Sequence, residues 1–143
     1  MAISQAVCTS FKVQLLSGAQ NFNTGTTKVY KIALYTSSAT LNASTTVYST
    51  ANEVVGTGYT AGGNVLTVSQ IPTNGGSTTA FIDFADVTWP SSTITARGAL
   101  IYNSTDNTAV TVLDFGSDKI STAANFTIIF PPATSTTAII RIS

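Results

Sequence analysis

Along most of the chain, apolar side chains and short polar ones alternate with a period of two, the pattern of strands with one face turned inward. It predicts strands over Ser10–Leu16, Lys28–Thr36, Asn64–Gln70, Thr78–Trp89, Ile94–Asn103, Thr108–Phe115, Asn125–Phe130 and Thr137–Ile142. Turn signals separate them at Ser17-Gly18, Asn23-Thr24-Gly25, Ala61 to Asn64, Asn74-Gly75-Gly76 and Ser104 to Asn107. Gly and Asn accept the positive φ angles that tight turns require. Helical periodicity is almost absent. Ser37–Asn52 lacks clean alternation and reads as a short helical turn or a long crossover between sheets. Together these elements predict an all-β fold: a single antiparallel β-sandwich, jelly-roll-like, of about eight strands. Residues 11–143 form the sandwich in this reading, and residues 1–10 a mobile N-terminal arm.

The faces of the strands differ. Tyr30, Ile32 and Leu34 alternate with Lys31, Ala33 and Tyr35, which predicts one buried and one wetter face. Later strands are apolar on both sides. Leu100 and Tyr102 oppose Ala99 and Ile101, Val110 and Val112 oppose Leu113 and Phe115, and Ile129 lies behind Phe126, Ile128 and Phe130. A sandwich buries one face of each sheet, so such strands need a second cover. A crossing loop such as Ser37–Asn52 fits that need, and so does another subunit.

Composition narrows the chemistry. Of 143 residues 43% are hydrophobic and only 8% charged, six Lys/Arg balancing six Asp/Glu. An ordinary soluble domain carries about 25% charged residues. Hydroxyls fill the gap, with 26 Thr and 16 Ser. A neutral balance without a basic cluster lacks the electrostatic footprint of nucleic-acid binding. There is no histidine, which removes Ser-His-Asp and Cys-His catalysis, histidine metal ligands and a pH switch near neutrality. A lone cysteine, Cys8, makes no intrachain disulfide and reads as a small apolar filler. Met1–Cys8 has neither the basic nor the apolar region of a signal peptide, and no stretch approaches the roughly 20 apolar residues of a membrane span.

Two motif matches dissolve on inspection. Gly56-Thr57-Gly58-Tyr59-Thr60-Ala61 fits the dinucleotide-binding pattern, but that pattern needs a helix leaving it, and strand-like Val65 to Val68 follows instead. Asp114-Phe115-Gly116 spells a kinase triplet without the other kinase elements. The carboxylate pairs Asp83/Asp86 and Asp114/Asp118 read as turn residues or local ion pairs with Arg97 and Lys119. Their rival readings are a cation site or a glycosidase pair, and no loop gathers three carboxylates. No catalytic residue, cofactor or metal is therefore assigned. Trp89, before Pro90 at a strand end, reads as a plug in the sandwich or as an exposed anchor. Tyr48 and Tyr59 flank the glycine-rich loop and complete a candidate interaction surface of Tyr48, Tyr59 and Trp89. Three N-glycosylation sequons begin at Asn42, Asn103 and Asn125, a number that chance supplies in so Ser/Thr-rich a chain.

The phrases Gly56 to Gly63, Gly98 to Thr105, Val112 to Lys119, Phe130-Pro131-Pro132 and Ala138 to Ile142 resemble small structural proteins encoded among the virion genes of tailed bacteriophages. The likeness spans Thr24 to Ile142 and carries no catalytic signature. It implies a non-enzymatic capsid decoration or cement protein, made in the host cytoplasm and resident in the virion. The implied partners are the major capsid protein and copies of itself, as a homodimer or homotrimer, with no nucleic acid and no membrane. The alternative within the same resemblance is a receptor- or glycan-binding module of a tail or fibre.

Overall fold

The β-branched and aromatic run from Val87 to Asn103 and the run from Thr108 to Ile128 form the two longest strands, joined by a turn at Ser104–Asn107. The structure is a computed structural model that describes residues 2–143. In chain order the elements are β1 (Ala6–Val7), α1 (Thr9–Ser17), β2 (Tyr30–Tyr35), β3 (Asn64–Val65), β4 (Val68–Thr73), β5 (Ala80–Phe84), β6 (Val87–Asn103), β7 (Thr108–Ile128) and β8 (Ile140–Ile142). They make two antiparallel sheets, a larger one in the order β1-β7-β6-β2-β3 and a smaller one in the order β4-β5-β8. The chain is thus an all-β sandwich of about eight strands. Among the described residues, no helix is long and apolar enough to cross a membrane.

The expected breaks at Pro90 and Gly116 are bulges inside continuous strands. The β6–β7 register skips between Trp89 and Ser92, so Pro90 sits where its missing N–H costs no ladder bond. Ser91 (φ 48°), Gly116 (φ 77°) and Ala123 (φ 46°) absorb the bends. The expected strands Thr108–Phe115 and Asn125–Phe130 thereby merge into β7, while expected Thr78–Trp89 divides, its first part forming β5 and its last residues joining Ile94–Asn103 in β6.

One predicted strand is a helix. Ser10–Leu16 falls within α1, because Phe11 and Leu15 lie four apart and both turn inward, a helical spacing that also passes for alternation through Val13. Gly18 (φ 78°) closes the helix: its N–H reaches the Leu15 carbonyl at 3.3 Å, and Ala19 N–H reaches Gln14 at 2.9 Å. The expected mobile arm is also tied down. Ala6–Val7 pair with Val112 and Thr111, Ile3 bridges to Leu41, and Cys8 N–H donates to Val110 O at 2.9 Å. The Cys8 side chain is fully buried, and burial pushes its thiol up to about 11.

Both faces of the larger sheet's centre are covered by the chain itself. On one side Tyr30 stacks on Phe22 at 4.4 Å between ring centres, and Phe22 and Tyr30 meet Phe84 of the smaller sheet. On the other side the segment 36–63 crosses over. There Tyr48 stacks on Tyr102 at 4.6 Å, and Tyr35 donates to Ser49 O at 2.6 Å. The wetter face expected of β2 is therefore wrong: Ala33 and Tyr35 are buried beneath this loop. On the inner halves of β6 and β7 the doubly apolar pattern finds its second cover in the crossing loop, whereas Ile129, behind Phe126, Ile128 and Phe130, stays exposed.

Candidate functional site

The crossing loop is fastened by one carboxylate. Glu53, the only glutamate of the chain, is buried and pairs as an isolated bridge with Tyr35 at the sheet edge. Its Oε1 accepts from Tyr59 OH (2.6 Å) and Gly62 N–H (2.7 Å), and its Oε2 accepts from Tyr48 OH (2.7 Å). Tyr59 OH also accepts from Leu34 N–H at 2.9 Å. Burial, then the hydrogen bond to Glu53, pushes both phenols well above their ordinary range. Tyr102, whose OH donates to Gly62 O at 2.7 Å, is pushed up to about 12 by burial first and Glu53 second. The glycine-rich loop permits this closeness. A Cβ on Gly63 would collide with the Ile32 backbone, and one on Gly56 with Thr93 O. No helix follows the loop, so it is a clasp against β2 and β6 and has no phosphate-binding geometry.

Of the three residues expected to form an interaction surface, the structure brings Tyr48 and Tyr59 together through Glu53 and sets Tyr59 5.9 Å from Trp89. The surface itself is not formed. Trp89 is 2% exposed, packed edge-on to Phe126, and it plugs the sandwich; it offers no ring face to a partner. Tyr48 and Tyr59 are half-buried, with their hydroxyls committed to Glu53. Sequence reasoning missed Glu53. Its signal is present: between Lys31 and Asp83 it is the only charged residue.

The remaining carboxylates are dispersed. Asp83 is buried and accepts from Phe84 N–H at 2.9 Å, and its carboxyl is raised by that burial. Asp86 accepts from Phe130 N–H at 2.8 Å. Asp114 accepts from Gly116 N–H (2.8 Å), shaping the bulge of the kinase-like triplet, and lies 3.7 Å from Arg97 Nε. Asp106 pairs with Lys28 at 2.6 Å. Among the described residues, no three or more His, Cys, Asp or Glu side chains gather where a metal ion would need them.

The outward surface, rich in Ser and Thr, also carries exposed apolar side chains and a strand pair without further sheet partners. β1 pairs β7 only at Thr111 and Val112, and β2 pairs β6 only from Gly98 onward, so beyond those points β6 and β7 run on as a two-stranded ribbon. Its flank carries an open groove of about 490 Å³ beside Phe115, Lys119, Ile120 and Ile129. Ile120 is 68% exposed and Ile129 76%. A second groove, of about 340 Å³, lies between α1 and β8. Comparison with protein-family models, known proteins and solved structures yields no match.

Proposed function

We propose that the protein is a non-enzymatic virion structural protein, a capsid decoration or cement protein that binds the shell of a phage head as an oligomer. The observation that carries this reading is the exposed ribbon of β6 and β7, a long edge with isoleucines turned to solvent on a chain with very little charge. Exposed apolar edges of that kind mark contact surfaces. Short hydroxyl side chains lose little rotamer entropy when a neighbour covers them, whereas ordering each Lys or Glu costs up to about 1.5–2 kcal/mol. Low charge also limits desolvation on burial. Many weak contacts then add up on a symmetric shell. The resemblance to phage virion proteins supplies the particle. The glycan-module alternative loses ground with the burial of Trp89.

Sedimentation velocity combined with a pull-down on expanded capsids tests the proposal. The expected result is a dimer or trimer that binds at a fixed number per capsomer. A monomer that leaves capsids bare overturns it.

A further inference from the structure

An open sheet edge, that of β8, borders the groove between α1 and β8. β1 is the outermost strand of the larger sheet and β8 the outermost strand of the smaller one, and no backbone hydrogen bond leaves the outer side of β8 among the described residues. Val7 of β1 lines the groove with Leu15 and Leu16 of α1 and with Ile140 and Ile142 of β8. Leu16 is 92% exposed. The rim carries charge of one sign: Lys12 and Arg141 line the groove, no Asp or Glu side chain does, and neither cation has a carboxylate within ion-pair distance.

We propose that this groove takes an extended segment of a partner protein, apolar on alternate residues and acidic at its ends, as an added strand on β8. The added strand satisfies the free backbone groups of β8, its inward side chains meet Leu16 and Ile142, and its carboxylates meet Lys12 and Arg141. Strand addition of this kind draws affinity from main-chain hydrogen bonds and specificity from alternate side chains. A second copy of this chain fits less well, because a two-fold contact here brings Lys12 and Arg141 against their own copies.

The test uses the full chain, isotope-labelled, and two peptides of roughly eight residues, about one strand in length. Both alternate Val and Thr; one has Asp at each end and the other Lys. The Asp peptide is expected to shift the amide resonances of Val7 and Ile140–Ile142 and to bind about fivefold more tightly than the Lys peptide, as two exposed charge pairs would give. Combined Lys12→Glu and Arg141→Glu reverses the preference, and Leu16→Ser, at a side chain with almost no contacts to lose, weakens both peptides. Equal binding of the two peptides, no binding, shifts confined to the β7 edge, or self-association that occupies the groove each overturns the proposal. Peptide binding and capsid binding are separate measurements, so the failure of one leaves the other standing.

Discussion

One hairpin passes through two environments. Where β6 and β7 run from Gly98 to Leu113, they sit mid-sheet, with α1 and the smaller sheet on one face and the crossing loop on the other. Where they run over 87–96 and 116–128, they pair in the sheet only with each other; residues 57–59 of the crossing loop reach β6 at Trp89 and Thr93, and the opposite face is wet. The sequences differ accordingly. The inner half is Ala-Leu-Ile-Tyr beside Ala-Val-Thr-Val-Leu; the outer half interleaves Thr and Ser with single apolar residues. The lesson is that strand length here is set by hairpin pairing alone, while burial is set by what the rest of the chain lays across it.

The strongest way to break that contrast is to delete the same kind of side chain from each half. Leu100→Ala, at a fully buried position, is expected to cost about 2–5 kcal/mol in urea unfolding. Ile120→Ala, on the ribbon, should stay within about 0.5 kcal/mol. Comparable losses at the two sites would show that the ribbon is covered in solution.

Next in size is the cover itself. Glu53→Gln keeps the shape of the clasp but loses a charged acceptor for three donors. A loss of about 1–3 kcal/mol is expected, with faster amide exchange at Gly62 and Leu34. If exchange at those two amides is unchanged, the loop is held by stacking on Tyr102 and the carboxylate is secondary.

Within the ribbon, the buried hydroxyls of Ser92 and Ser121 lie 3.0 Å apart, and Ser121 Oγ donates to Ser92 O at 3.0 Å. Ser121→Ala should cost about 1 kcal/mol in the same unfolding assay. A neutral result would mean that the bulges, not these hydroxyls, fix the register of the outer half.

The smallest expected effect is a pH dependence. The folded-state carboxyl of Asp83 is raised by burial, so the native chain holds its proton more tightly than the unfolded one does. Relative to Asp83→Asn, the wild-type chain should lose stability as pH rises from the ordinary carboxylate value of about 3.9 through the raised one. Denaturation midpoints of both proteins at acid and neutral pH read the sign directly. A wild-type advantage that grows with pH would refute it.

The alternation of Thr, Val, Ile and aromatic residues made the sandwich legible before any coordinates. What escaped did so for physical reasons. Phe11, Val13 and Leu15 satisfy period two as well as Phe11 and Leu15 satisfy a helical turn, and Gly18 was the clue to the helix. Pro90 and Gly116 look like strand ends because a bulge and a terminus call for the same residues. Tyr48 and Tyr59 do lie near each other, but as donors to a buried acid. Aromatic residues beside a glycine-rich loop carry no mark of whether they face solvent. Glu53 stood out only by its isolation among uncharged neighbours.

The pairing of β1 with β7 also governs when the protein can fold. Thr111 Oγ1 donates to Ala6 O across 105 residues of chain. At roughly 5–20 residues per second, the ribosome holds the first strand for several seconds before its partner exists. The larger sheet thus closes late, at the slow end of the range for domains rich in distant contacts. Until then Leu16 is not the only apolar side chain in water, and a neighbouring nascent chain is the nearest alternative strand.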